Sequence, residues 1–125
     1  IHEPNVELHP YGLSSHEHTA TQGTNATYLN GRIGDTDPQD GDIQCKTLDS
    51  FNLTQVDYIK IDVDGFEVPV LKGAAITLQK NSPVINIEMK KTKRPEIVAK
   101  AQKILHRWGY RFQGRTRSDE IWLKS

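Results

Sequence analysis

The chain has 125 residues, 35% of them hydrophobic, with 16 basic and 16 acidic side chains. This length fits one domain with one core, and the zero net charge gives no electrostatic reason to expect nucleic acid or a membrane surface as a partner. The single cysteine, Cys45, excludes an intramolecular disulfide and a multi-cysteine zinc site. No run approaches the roughly 20 apolar residues that cross a bilayer, and no basic-then-apolar leader opens the chain, so we expect a cytoplasmic protein.

The segment from Ser14 to Asp42 is rich in Ser, Thr, Asn, Gly, Asp and His and has neither helical nor alternating periodicity. Asn30-Gly31 and Asp40-Gly41 are turn signals. A structureless segment of this length is uncommon in a compact domain, so the pattern predicts a functional loop, an insertion or two short strands. His16 and His18 would share one face of a strand, but the spacing fixes no third ligand, and we expect no metal site.

The rest of the chain alternates between strand and helix patterns. Stretches rich in β-branched residues predict strands, and apolar stripes at helical spacing predict helices. In chain order the predictions are a strand at Ile43 to Leu48, a strand at Val56 to Val63, a helix with its stripe from Val70 to Leu78, a strand at Val84 to Glu88, a helix at Pro95 to Trp108, and a hairpin of Tyr110 to Phe112 with Glu120 to Leu123. This order is typical of an α/β sheet that is mostly parallel, with an antiparallel C-terminal hairpin.

Charged residues concentrate at the end of the second predicted strand. Alternate residues of a strand share a face, so Lys60, Asp62 and Asp64 are expected to point the same way. In open α/β sheets the carboxyl ends of the strands border the ligand crevice. Glu67 begins the next helix, and Glu88 ends the next strand at the same rim. These residues form a candidate functional site; the structural alternative is a Lys60–Asp62 ion pair with Glu67 capping the helix.

A basic run, Lys90, Lys91, Lys93 and Arg94, follows the Val84 to Glu88 strand. Charge runs between elements are usually solvated, so we interpret this one as an exposed connection rather than a phosphate site. Cys45 has no adjacent base in the sequence and is interpreted as a structural thiol.

The string Asp62-Val63-Asp64-Gly65 after a hydrophobic strand resembles the first motif of haloacid-dehalogenase-type phosphatases. That resemblance implies magnesium, with Asp62 as the nucleophile and Asp64 as an acid/base. Phe66 stands where that family has a small or hydroxyl residue, and its later Gly-Asp-x-x-x-Asp signature is absent.

A longer stretch of the chain resembles the FkbM-type methyltransferase family. The matching segments follow the family's order and spacing, and they are Thr47 to Phe51, Val56 to Glu67, Val70 to Ala74 and Pro83 to Glu88. Val6 to Leu13 resembles the family's third strand, so the chain is expected to begin about halfway through the domain. Asp64 stands where the family usually has Glu, and the family's glycine-rich first turn and the acid ending its second strand are absent.

The resemblance implies one incomplete FkbM-like domain over residues 1–125, with a partial Rossmann-like sheet. Residues 1–13 would be the third-strand region, 14–42 a polar loop or insertion, and 43–125 the α/β core. The implied reaction is S-adenosylmethionine-dependent O-methyl transfer to a hydroxyl of a small molecule or sugar. The cofactor site would be incomplete, and this chain alone would be inactive.

The resemblance also implies roles for the charged rim, in which Lys60 orients Asp62. The implied site residues are catalytic Asp62, Glu88 and Lys60, cofactor-binding Asp62, Leu13 and Ser14, and substrate-binding Asp64 and Glu67. Without the two strands that the family places beside it, the apolar flank of the Val56 to Val63 strand would recruit another copy of the chain or be covered by a displaced amino-terminal segment. We expect a homo-oligomer, as well as a small-molecule acceptor. The alternatives are a phosphatase-like fragment and a non-catalytic α/β module.

Overall fold

A computed structural model describes residues 4–22, 33–35 and 43–125. These residues form eight strands, three α-helices and one 3₁₀ turn, Leu48–Phe51. The strands are β1 (Gly12–Leu13), β2 (His18–Gln22), β3 (Ile33–Asp35), β4 (Ile43–Lys46), β5 (Tyr58–Ile61), β6 (Val84–Glu88), β7 (Tyr110–Thr116) and β8 (Asp119–Lys124). The helices are α1 (Glu67–Lys72), α2 (Ala75–Asn81) and α3 (Pro95–Arg107).

The strands form two sheets, with the orders β1-β4-β2-β3 and β5-β6-β8-β7. In the described part of the chain β1–β4 and β5–β6 pair in parallel, whereas the other four pairings are antiparallel. The prediction of an α/β architecture is confirmed, but that of a mostly parallel sheet is wrong. The predicted antiparallel C-terminal hairpin is confirmed. β8 lies beside β6 and β7 is the outer strand, so the hairpin supplies half of the second sheet.

Several predicted bounds change in the structure. Of the Val6 to Leu13 prediction, only β1 is a strand, and the Val56 to Val63 prediction shrinks to β5. The polar segment contains β2 and β3 among its described residues, which is the two-strand alternative. β6 has its predicted bounds, and α3 ends one residue before its predicted end, followed by Gly109 with a φ of 87°.

The apolar stripe predicted as one helix forms two helices, because Asp49 interrupts the hydrogen-bond ladder between them. The Gly73 carbonyl accepts from the backbone N–H of Asp49 at 2.9 Å. The N–H of Thr77, four residues after Gly73, instead donates to Asp49 Oδ1 at 2.8 Å. Asp49 Oδ2 accepts from the N–H of Ile76 at 3.1 Å. Asp49 therefore caps α2, whose own N-cap residue, Ala74, makes no side-chain hydrogen bond.

Gly73, the residue after α1, lies against the backbone of Ser14, the residue after β1. A Cβ atom at this position would lie 2.0 Å from the carbonyl oxygen of Ser14, a backbone atom at the end of β1. Ser14 is held there by its own N–H, which donates to the Lys46 carbonyl at 2.8 Å. Glycine is therefore required at residue 73 by lack of space.

Gly73→Ala is expected to lower the free energy of unfolding by about 1–3 kcal/mol, because the added methyl group displaces the Ser14 backbone. The loss should appear although alanine favours helices over glycine. Gly114→Ala is the matched control, since a Cβ there meets nothing within 4 Å. Chemical denaturation measures both variants, and equal stability of the two would contradict the steric argument.

The core lies between the three helices and one face of the second sheet. Ile85 and Ile87 of β6 are fully buried, and Trp122 of β8 packs on the same face. The helical members of this core are Val70, Leu71, Ala74, Leu78, Val98, Ala101 and Leu105. No helix in the described ranges is both long and apolar enough to cross a bilayer.

The opposite face of the second sheet is more polar, and its edge strand borders a cavity. β5 pairs only with β6 and β1 only with β4 in the described ranges, so each is an edge strand. A cavity of about 510 Å³ has Leu13 of β1 and all four residues of β5 in its lining. The space therefore lies along the β5 edge, at the position where further strands would continue the sheet.

Candidate functional site

The candidate site lies at the carboxyl ends of β5 and β6. These strands are parallel neighbours, and Ile61 pairs with Ile87 in the ladder. Asp62 follows β5 directly, and Glu88 is the last residue of β6. Because the carboxyl ends of parallel strands meet at one edge, the two acids predicted for this rim are brought together.

Asp62 and Glu88 interact as a pair of carboxyl groups. Burial, followed by the hydrogen bond and the negative charge of Asp62, raises the pKa of Glu88 to about 6. Lys90, whose Nζ lies 3.8 Å from Glu88 Oε1, opposes this rise. Asp62 is exposed, whereas the Glu88 side chain is 15% exposed. Two carboxyl groups in unequal surroundings are an arrangement that allows one of them to accept a proton near neutral pH.

The raised pKa of Glu88 has a consequence for stability. Its carboxyl is ordinarily half-ionised at pH 4.5, but in the folded chain only at about 6, so the folded state binds the proton more tightly. The protonated Glu88 therefore stabilises the folded state. This stabilisation is complete below about pH 4.5 and is lost as the pH rises through about 6. Glu88→Gln is expected to be more stable than the parent by about 1–2 kcal/mol near pH 8, a difference that vanishes towards pH 4.

Urea denaturation at several pH values measures this difference. Glu17→Gln, the same change at an exposed position, should leave the stability nearly unaltered. A Glu88→Gln variant that is destabilised near pH 8 would show that the ionised Glu88 is instead held by favourable contacts.

Asp64 is fixed by two cations that follow β6. Its Oδ1 lies 2.9 Å from Arg94 Nη1 and 3.4 Å from Lys90 Nζ. Burial alone would raise the pKa of Asp64, but the two cations outweigh it and hold that pKa below its usual value. Asp64 also has a φ of 48°, a left-handed conformation that costs energy in a non-glycine residue. The ion pairs hold this turn at the rim.

Glu67 occupies a structural position in the same turn. It is 4% exposed, and its carboxylate accepts from the N–H of Gly65 at 3.1 and 3.3 Å. Gly65 has a φ of 101°, which favours glycine at that position. The contact closes the turn that leads into α1. It is made to a residue before the helix, and the N-cap residue Phe66 makes no side-chain hydrogen bond, so Glu67 does not cap α1 as the structural alternative predicts.

Lys60 does not make the predicted contact with Asp62. Its Nζ lies 2.7 Å from Asp119 Oδ2, and this hydrogen bond, opposed by burial, raises the pKa of the Lys60 amine. Asp119 begins β8, two strands away across β6. The expected orientation of Asp62 by Lys60 is therefore wrong, because the hairpin places a closer acid on the same face.

The two proposed cofactor residues of the N-terminal segment lie in different surroundings. Leu13 lines the 510 Å³ cavity together with Asp62 and Lys60. Ser14 is 2% exposed, and its backbone packs against Gly73. The structure thus brings Leu13 to the same cavity as Asp62, while Ser14 is mainly part of the packing between the sheets.

Sequence reasoning missed the partners that organise the rim. Arg94 belonged to the basic run, and its spacing from Asp64 gave no sign of an ion pair. Glu120 is fully buried and accepts hydrogen bonds from Gln102 Nε2 at 3.1 Å and Trp122 Nε1 at 3.0 Å. An acid placed two residues before a core tryptophan in a strand is the one signal for Glu120, because those two side chains share a face.

His16 and His18 are the two residues of the sequence that resemble metal ligands. The rings of His16 and His18 are stacked with their centroids 4.3 Å apart. Within residues 4–22, 33–35 and 43–125, no group of three or more His, Cys, Asp or Glu side chains is arranged to hold a metal ion.

Comparison with protein families matches residues 3–112 to the methyltransferase FkbM domain. The match includes every segment that resembles this family and selects that resemblance over the phosphatase one. Searches of curated proteins and of solved structures found no match. Since the match spans most of the chain, the protein belongs to the FkbM methyltransferase domain family.

Proposed function

We propose that this chain forms the carboxyl-terminal part of an S-adenosylmethionine-dependent O-methyltransferase site, acting on a hydroxyl of a small molecule or sugar. The supporting observation is the Asp62–Glu88 pair at the carboxyl ends of two parallel strands, in a chain of a methyltransferase family. Glu88 is the proposed base, and Asp62 is the proposed contact to the methionine part of the cofactor.

The residues present fit one end of S-adenosylmethionine. The 510 Å³ cavity is mostly apolar, and Asp62 is the one acid among the described residues that line it. An apolar wall with one carboxylate suits the methionine chain and its ammonium group. A second acid for the ribose hydroxyls is missing from this lining. We therefore place only the methionine end near Asp62 and Leu13.

The chemistry divides between the cofactor and this chain. When bound, the cofactor supplies a methyl group on a sulfonium for in-line displacement by an oxygen. Glu88 takes the proton of the acceptor hydroxyl on a carboxylate oxygen, a role suited to a pKa of about 6. The ion pairs of Asp64 with Arg94 and Lys90 hold the rim rigid beside this base.

Cofactor binding to the 125-residue chain tests the proposal. We expect S-adenosylmethionine to bind with a dissociation constant of roughly millimolar, since only part of the molecule is contacted. Saturation-transfer NMR detects such binding. Asp62→Asn should weaken it, whereas Asp57→Asn, the same charge change at the exposed opposite end of β5, should not. Equal binding to both variants, or none to the parent, would favour the non-catalytic module.

We also propose that the chain self-associates through the open edge of β5. An unpaired strand edge presents N–H and C=O groups that pair with another chain, and Tyr58 on this strand is 55% exposed. Light scattering coupled to size exclusion is expected to give the mass of a dimer or a larger assembly. A monomer at every concentration, with rapidly exchanging β5 amides, would contradict this.

A further inference from the structure

A shallow, open basic surface lies where the end of β6 meets the turn between β7 and β8. We call it the basic basin, and its cations are Lys90, Lys91, Lys93, Arg115 and Arg117. Its volume is about 610 Å³, within the usual range for small-molecule sites. None of the described residues that line the basin carries a carboxylate, and Thr92 and Ser118 add two hydroxyl groups.

Backbone contacts hold the two halves of the basin together. The N–H of Met89 donates to the Ser118 carbonyl at 2.7 Å. The Met89 carbonyl in turn accepts from Arg115 Nη1 at 3.4 Å. The cations of the basic run and those of the hairpin therefore converge because β6 and the hairpin belong to one sheet.

A buried acid anchors the inner cations of the basin. Glu120 is fully buried, and its carboxylate pairs with Arg115 and lies 3.9 Å from Lys91 Nζ. Gln102 and Trp122 also donate to this carboxylate. Glu120 lies against Arg115 and Lys91, and Asp64 and Glu88 lie against Lys90. The five cations of the basin therefore still outnumber these three carboxylates.

The outer cations of the basin are Lys93 and Arg117. In the part of the chain that the structure describes, no carboxylate lies within 4.0 Å of Lys93 or Arg117. Arg117 also has a φ of 58° in a two-residue hairpin turn, where asparagine or glycine would be favoured. Unfavourable backbone conformations of this kind are concentrated at functional sites.

The basin adjoins the candidate site through one side chain. Lys90 lines the basin, and its Nζ lies 3.4 Å from Asp64 Oδ1 and 3.8 Å from Glu88 Oε1. A molecule held by the basin therefore lies beside the proposed base.

We propose that the basic basin binds a phosphate or sulfate ester group carried by the methyl acceptor. The assignment to the acceptor rests on the proposed function, whereas the binding of the ester does not. Arginine and lysine donors around one concavity suit the several oxygens of such a group. A nucleic acid is a poorer fit, because the described residues that line the basin include no aromatic side chain for base stacking.

Calorimetry at low ionic strength with a hexose 1-phosphate tests the proposal. We expect binding that weakens with added salt, and no binding of the unphosphorylated hexose. A second arm uses phosphatidylcholine vesicles with and without phosphatidic acid. Selective binding to either ester supports the basin and identifies its source as a soluble molecule or a lipid headgroup. Binding to neither ester would overturn the proposal.

The double variant Lys93→Gln, Arg117→Gln should weaken ester binding at least tenfold. Its matched control is Lys100→Gln, Lys103→Gln, which removes the same charge from exposed positions of α3 and should leave binding unchanged. Thermal unfolding of both confirms that they fold. Equal weakening in both would show attraction to overall charge and overturn the assignment to the basin. Since binding is measured without methyl transfer, ester binding without any S-adenosylmethionine binding would overturn only the proposed function.

Discussion

In a catalytically active form of the protein, Asp62→Asn is expected to lower the rate of methyl transfer at least tenfold. Glu88→Gln is expected to lower the same rate by about 10²–10⁴-fold. In the proposed site, the Asp62 variant loses the charge assigned to the contact with the methionine end of the cofactor, and the Glu88 variant loses the ability to accept a proton. Release of the demethylated cofactor measures both rates. For the parent, the rate should rise with pH through about 6, since only the ionised Glu88 is a base.

The pH profile separates chemistry from structure. In Glu88→Gln the rise near pH 6 should disappear, a change that a purely structural role of Glu88 would not produce. Asp57→Asn controls for charge at the other end of the strand and should keep both rate and profile. Parent-like turnover of Asp62→Asn at saturating cofactor and acceptor would refute its assignment to the site.

Glu120→Ala is expected to lower the free energy of unfolding by about 3–5 kcal/mol, because a buried charge network loses its centre. Arg115 would lose its charged partner, and Gln102 and Trp122 would keep donors without an acceptor. Urea denaturation measures the loss. Glu17→Ala, an exposed acid, is the control, and a similar small effect in both variants would show that the Glu120 network contributes little.

The sequence predicts the elements that depend on local patterns. β6 is a short apolar run that Ser82-Pro83 precedes and a basic segment follows. α3 has proline at its first position and glycine after its end. Both elements therefore have the places that the sequence predicts. The two acids of the rim were also predicted, because strand direction alone places Asp62 and Glu88 together.

The differences arise from contacts between residues far apart in the chain. Asp119 forms an ion pair with Lys60 because β8 lies beside β6, a strand pairing that no local sequence pattern specifies. From the sequence alone the basic run is interpreted as a solvated connection. In the structure the hairpin places Arg115 and Arg117 beside it. The break between α1 and α2 depends on Asp49, which sequence periodicity cannot connect to Gly73.

The cap on α2 makes this helix depend on a distant part of the chain. α2 has seven residues, and a helix this short does not persist in water by itself. Its first N–H groups are satisfied by Asp49, in the 3₁₀ turn that follows β4. α2 therefore becomes stable only after the Leu48–Phe51 turn has docked against it. These hydrogen bonds connect the segment that follows β4 of the first sheet to a helix packed on the second sheet, so we expect the two sheets to unfold together.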